Sequence, residues 1–147
     1  MQALNLPTYS FKFKSNENKI LIFDIVRKKY VVLQPEEWVR QHILHYLVYD
    51  KKYPLSRIAV EKKIVVNKLT KRTDIVVFNR DGSPFLIVEC KAPEVPITQK
   101  SFDQIARYSS TLKGGYLMVS NGMQHYYCRI NDEEDGYIFM DSLPEMS

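Results

Sequence analysis

Cysteine is scarce in this chain of 147 residues. The two that occur, Cys90 and Cys128, stand in no CxxC and at no zinc-ligand spacing, so no metal motif is built from them. Cys90 lies in an apolar run and reads as core packing, and a reducing compartment is consistent with so few thiols. Histidine is scarce as well. His42, His45 and His125 form no catalytic or zinc constellation, although His42 and His45 are three apart on an expected helix and share a face. Nowhere is there an unbroken apolar run of about 18 residues, as a membrane span needs. The beginning, MQALNLPTYSFKFK, lacks the apolar core of a signal peptide. A cytoplasmic protein with no membrane partner is the expectation. Internal repeats and low-complexity tracts are absent too.

What is present describes a globular domain. Apolar residues make up 45%, charged residues 26% and aromatics 12%, a composition that argues against disorder. The length suits a single unit over residues 1–147 with enough chain to bury a core. A net charge of +4 permits a nucleic-acid partner without demanding one. Basic clusters at Arg27–Lys29, Lys51-Lys52, Lys62-Lys63 and Lys68–Arg72 (Lys71 and Arg72 included) read either as solvated faces or as phosphate contacts.

Residues 1–10 read as a loosely held terminus. From Phe11 to Leu33 the pattern is β-like: Phe11 and Phe13 alternate with lysines, Ser15–Asn18 is a turn, Lys19–Val26 is a strand, and Tyr30–Leu33 is another. Residues 1–33 thus form a small antiparallel layer ahead of a core at 34–140. Gln34-Pro35-Glu36-Glu37 opens a helix, since proline suits the first turn and acids complement the positive end of the dipole. Glu36, Val39, Ile43 and Leu47 share one stripe of it, and Glu37 lies on the neighbouring stripe. Trp38 reads as packing. Ile58–Asn67 reads as a strand or bulged strand, Lys68–Lys71 as a polar connection, and Asp74–Phe78 and Phe85–Lys91 as a hairpin turned by Asp81-Gly82. Ala92–Lys100 reads as a loop. Phe102–Leu112 reads as a helix with Phe102, Ile105, Ser109 and Leu112 inward, stopped by Gly114-Gly115. Tyr116–Ser120 suits a buried parallel strand. Strands follow at Gln124–Ile130 and Tyr137–Met140, with an acidic turn between. The order predicts an α/β fold, a mixed sheet flanked by helices.

The chemistry concentrates in Arg72–Pro93. Glu89 and Lys91 are two apart on a strand and share a face, with Cys90 turned away. The hairpin brings Asp74 alongside. Converging carboxylates are costly unless a cation compensates them. A magnesium or manganese ion takes oxygen ligands and keeps several waters. Asp74 and Glu89 supply carboxylates, the Cys90 carbonyl a third donor, and Glu36 completes the set directly or through water. Lys91 then orients or deprotonates an attacking water, or stabilises charge on phosphorus. The bland alternative is a solvated aspartate and a surface Glu–Lys pair. Against it, Glu89 terminates the strongly apolar run Phe85–Val88, where charge is unusual.

Asp74 followed after 15 residues by Glu89-Cys90-Lys91 resembles the signature of the PD-(D/E)xK nuclease superfamily. Pro35-Glu36-Glu37-x-Val39-Arg40-Gln41, Arg72-x-Asp74-Ile75-Val76-Val77, Val88–Pro93, Gln104-x-x-x-Tyr108 and Ser120-Asn121-Gly122 resemble the N-terminal nuclease domain of type I restriction enzyme R subunits, over about residues 30–130. The resemblance implies a restriction-endonuclease-like core that cleaves DNA with magnesium. Asp74 and Glu89 become metal ligands and Lys91 the catalytic lysine. The helix acid lies four residues before an arginine, which selects Glu36, with Glu37 as a substitute. Gln104 and Tyr108, one helical turn apart, reach toward the active site or the DNA backbone. Thr73 stands where the signature has proline. No GxxxxGK[ST] loop is present, so the chain lacks the motor of a whole R subunit and reads as a fragment or a free-standing relative, served by DNA and by other restriction subunits or a separate motor. The alternative is a non-catalytic DNA-binding or interaction module on the same scaffold.

Overall fold

In a computed structural model of the protein, residues 1–66, 69–109, 115–131 and 136–146 are described. Strands β1 (Phe13–Asn16), β2 (Lys19–Asp24) and β3 (Lys29–Val32) form an antiparallel sheet in that order. The β1–β2 turn is Glu17-Asn18, both left-handed at φ 47° and 68°, the twist that joins two strands with the least splay. Helix α1 runs Pro35–His45 with Pro35, Glu36 and Glu37 in its first turn, and a π-helical turn carries it on through Tyr46–Asp50. Strand β4 is Ile58–Val60. The hairpin β7 (Ile75–Phe78) and β8 (Pro84–Cys90) follows, then helix α2 (Gln99–Ser109) and strands β9 (Tyr116–Ser120), β10 (His125–Asn131) and β11 (Gly136–Met140).

These strands make a six-stranded sheet in the order β11-β10-β9-β8-β7-β4, in which the β8–β9 pair is parallel and the others antiparallel. The parallel pair needs a crossover, and α2 is it. Alternation along β7 and β8 divides the core. Ile75, Val77, Leu86, Val88 and Cys90 meet Val39, Ile43 and Leu44 of α1 and Leu47 of the π-helical turn. Val76 and Ile87 meet Phe102 and Ala106 of α2, with Leu117, Val119 and Cys128. Strand β8 is thus covered on both faces, which is why Phe85–Val88 reads as an unbroken apolar run. The mixed α/β arrangement, the hairpin and the parallel strand agree with expectation.

Three expectations fail. Leu69–Lys71 of the expected polar connection fall instead in β6 (Leu69–Arg72), which pairs with β5 (Lys63–Val66) as a two-stranded ribbon. Five strands therefore separate the helices, not three. The Ile58–Asn67 stretch is broken at Glu61, whose φ is +54°. Residues 1–10 are not loosely held. Asn5 N donates to Gly122 O at 2.8 Å, His125 Nε2 donates to Asn5 O at 2.7 Å, and Leu4 and Leu6 pack on the α1 side of the core. Tyr9 and Phe11 stack against His42 and His45, both buried on α1 and held neutral by that burial. Trp38 packs as expected, and its indole N–H reaches Gln2 O at 2.7 Å. Lys68, Leu112, Gly114 and the acidic turn at 132–135 lie outside the described residues.

Two glycines at left-handed φ separate backbone strain from crowding. A Cβ at Gly82 (φ +87°) meets nothing within 4 Å, whereas at Gly122 (φ +86°) it lands 2.9 Å from Leu4 Cδ2 and 3.1 Å from Val39 Cγ2. Leu4 is able to yield, but Val39 is fully buried in α1. Gly82→Ala is expected to cost about 1 kcal/mol. Gly122→Ala adds crowding to the same strain and is expected to cost about 3 kcal/mol in all. Urea denaturation of both variants checks the order.

Candidate active site

Asp74 occupies the residue before β7. The register pairs Ile75 with Val88, so one step back places Asp74 opposite Glu89. Asp74 Oδ2 accepts the backbone N–H of Cys90 at 2.7 Å, and Glu61 N donates to Asp74 O at 2.9 Å. The carboxylate is thus fixed against the end of β8. Cys90 turns into the core while its backbone stays at the site. Burial, then the Asp74 carboxylate, push its thiol well above the ordinary range, and Glu89 and Glu36 add to this against the pull of Arg40. The thiol is therefore a packed, protonated group. Glu89 is half-buried, with Oε1 shielded from solvent. Half-buried Lys91 donates its backbone N–H to Ser120 O at 2.8 Å.

Helix α1 brings Glu36 to this corner. Its carboxyl is raised by partial burial and then by the Asp74 charge, against the opposite pull of Arg40 and Lys91. A nearby carboxylate raises a carboxyl in this way. Glu37 behaves differently. It accepts from Arg27 Nη2 at 3.2 Å, Arg40 Nη1 at 3.0 Å and Gln41 Nε2 at 3.1 Å, so it is committed to a network behind the site.

Arg40 is the centre of that network. Its side chain is 7% exposed and lies within ion-pair distance of Glu36 (3.5 Å), Glu37 (3.0 Å), Glu61 (3.3 Å) and Asp74 (3.4 Å). Burial opposes its charge, but the carboxylates of Glu37, Asp74 and Glu61 outweigh that and hold it firmly protonated. Arg27 bridges Asp24, Glu37 and Glu61. Asp24 is fully buried and accepts from Val26 N, Arg27 N, Arg27 Nε and Gln41 Nε2. Burial alone would raise its carboxyl; these hydrogen bonds reverse the effect and keep it below the ordinary value. Asp24, Arg27, Arg40, Gln41 and Glu61 went unrecognised as a unit in the sequence. The three- and four-residue spacing of Glu37 and Glu36 from Arg40 was the available signal.

The other expected residues fall as follows. Arg72 is exposed and pairs with Glu61 at 2.7 Å. Gln104 is exposed on α2. The side chains of Lys71 and Tyr108 lie outside the described residues. Ser120-Asn121-Gly122 forms a fastening. Asn121 Nδ2 donates to Val95 O, and its Oδ1 accepts from Met123 N and Gln124 N, tying down the loop that leaves Lys91. Among the described residues no three His, Cys, Asp or Glu side chains already stand at metal-binding distance from one another; the guanidinium of Arg40 lies between Glu36 and Asp74.

A family model described as the type I restriction enzyme R protein N terminus matches residues 35–144. That segment contains Glu36, Asp74, Glu89, Cys90, Lys91 and Gln104, and leaves β1–β3 outside it. No curated protein matches the chain.

Removing the buried guanidinium would take one counter-charge from Glu36, Glu37, Glu61 and Asp74 at once, leaving Glu37 and Glu61 to Arg27. Arg40→Ala is expected to cost about 3 kcal/mol in the metal-free protein, read by urea denaturation. A loss below about 1 kcal/mol, the scale of a surface pair, would contradict the central position given to Arg40.

Proposed function

The chain belongs to the family of type I restriction enzyme R protein N termini, and on that premise we propose that it is a magnesium-dependent deoxyribonuclease domain. It hydrolyses phosphodiester bonds in DNA on a restriction-endonuclease-like core of the PD-(D/E)xK superfamily. The observation that supports this most is the 2.7 Å bond from Cys90 N to Asp74 Oδ2, which holds the aspartate in register with Glu89 and Lys91.

The donor chemistry fits a hard cation. Asp74, Glu89, Glu36 and the Cys90 carbonyl offer oxygen alone, the set preferred by magnesium and manganese over zinc. The Glu36 carboxyl is raised by burial first and by the Asp74 charge second, and a dication would offset the second of these. When bound, such a cation would lower the pKa of a coordinated water and offset charge on the phosphoryl oxygens. Lys91 would orient or deprotonate the attacking water, or stabilise charge on phosphorus. Arg40 reaches Glu36 and Asp74 at 3.5 and 3.4 Å, longer than the ~2.8 Å of a tight charge-assisted bond. Its hold on these two acids is therefore loose, and a dication would displace it from them while it stays on Glu37 and Glu61. Gln104 and Tyr108 would contact substrate or DNA backbone, and Lys71 and Arg72 would meet phosphates. Carried in the cytoplasm, the domain would depend on other restriction subunits or a separate motor to reach DNA.

A second reading, a non-catalytic DNA-binding or interaction module, is favoured by the same arginine, because its charge already answers the carboxylates. Plasmid DNA with magnesium separates the two. The wild type is expected to cut, and Asp74→Ala and Lys91→Ala to lose about 100-fold or more. Equal background in all three would support the second reading.

A further inference from the structure

We propose that the outer face of the β1–β3 sheet is a binding surface for single-stranded nucleic acid. The register places Lys14 beside Leu21 and pairs Leu21 with Val32 and Phe23 with Tyr30. Phe23 N also bonds Lys12 O, which extends the ladder by one residue. With period-two alternation, Lys12, Lys14, Lys19, Leu21, Phe23, Tyr30 and Val32 share one face. Ile22 and Asp24, on the opposite face, are fully buried, while Phe13 and Ile20 at the far end of that face are 50% and 55% exposed; the sheet therefore packs inward over its Ile22–Asp24 end and turns the lysines and Tyr30 to solvent, with Phe23 half-buried beside them. Tyr30 is 37% exposed and Val32 41%.

Charge on this face is of one sign. Of the two acids between residues 12 and 32, Asp24 is buried on the other side and Glu17 sits in the turn. Each ring is matched with an ammonium: Lys12 Nζ lies 5.7 Å from the Phe23 centroid, and Lys14 Nζ lies 5.5 Å from that of Tyr30. The two rings are themselves neighbours, 5.2 Å apart at 66°. Exposed aromatics on a flat sheet stack with bases, and interleaved lysines take the phosphates. A duplex buries its base faces and would engage the lysines alone. An acidic peptide would do the same. The rings therefore select an unpaired strand.

This surface lies before residue 35 and so outside the family-matched segment. It does not rest on the cleavage reading, because a chain that cuts nothing would still bind. Anisotropy of a labelled oligothymidylate, measured in EDTA to prevent cleavage, tests it. The wild type is expected to bind with strong salt dependence. Tyr30→Leu, which keeps the apolar contact with Phe23 but removes the ring, is expected to weaken binding about tenfold. Lys12→Ala/Lys14→Ala is expected to weaken it and to flatten the salt dependence, with circular dichroism unchanged in both variants. Failure of the wild type to bind would overturn the proposal. So would an unchanged Tyr30→Leu, or competition by duplex or polyglutamate equal to that of the single strand.

Discussion

One buried guanidinium holds the candidate site together. Arg40 stands among Glu36, Glu37, Glu61 and Asp74, acids drawn from α1, from the break between β4 and β5, and from the start of β7. Like charges brought this close out of water repel strongly, and no single local element could hold them. Arg40 compensates them, and Arg27 does the same one layer further back, linking Glu37 and Glu61 to buried Asp24 at the end of β2. The β1–β3 sheet is thereby coupled to the corner where Asp74 meets β8. The left-handed Glu61, an uncommon conformation for its residue type, fits the same need, since its N–H is what holds the Asp74 carbonyl.

The arrangement separates two kinds of acid. Glu37 and Asp24 are saturated by short bonds to arginine, glutamine and backbone. Glu36 is half-exposed and bound to Arg40 only at 3.5 Å. The first pair serves structure; the proposed cation site rests on Glu36, Asp74 and Glu89. Two neighbouring glutamates on one helix therefore take different parts because they occupy different stripes, one facing the β1–β3 sheet and the other the hairpin.

Local patterns made much of this legible in the sequence. Asp81-Gly82 and two apolar runs specify the β7–β8 hairpin, and Pro35-Glu36-Glu37 specifies the start of α1. The short apolar Tyr116–Ser120 specifies a strand buried beside β8. Illegible features are those decided by partners far along the chain. The β5–β6 ribbon sends Ile64 against the core but leaves Val65 among the most exposed apolar residues, so its sequence carries little strand alternation and Lys68–Lys71 reads as a connection. Leu4, Leu6 and Asn5 are held by Gly122 and His125, more than a hundred residues away. Asp24 and Glu61 looked like ordinary charges until Arg27 joined them. The family match bears out the setting in restriction that the motif resemblance implied.

The account stands on Asp74, Glu89 and Glu36 keeping room for a hard dication in competition with Arg40. Calorimetric titration of manganese into the metal-free wild type, beside Glu89→Gln, measures that directly. Saturable binding by the wild type that Glu89→Gln loses is the predicted result. Absence of binding, or identical isotherms for the two proteins, would contradict it.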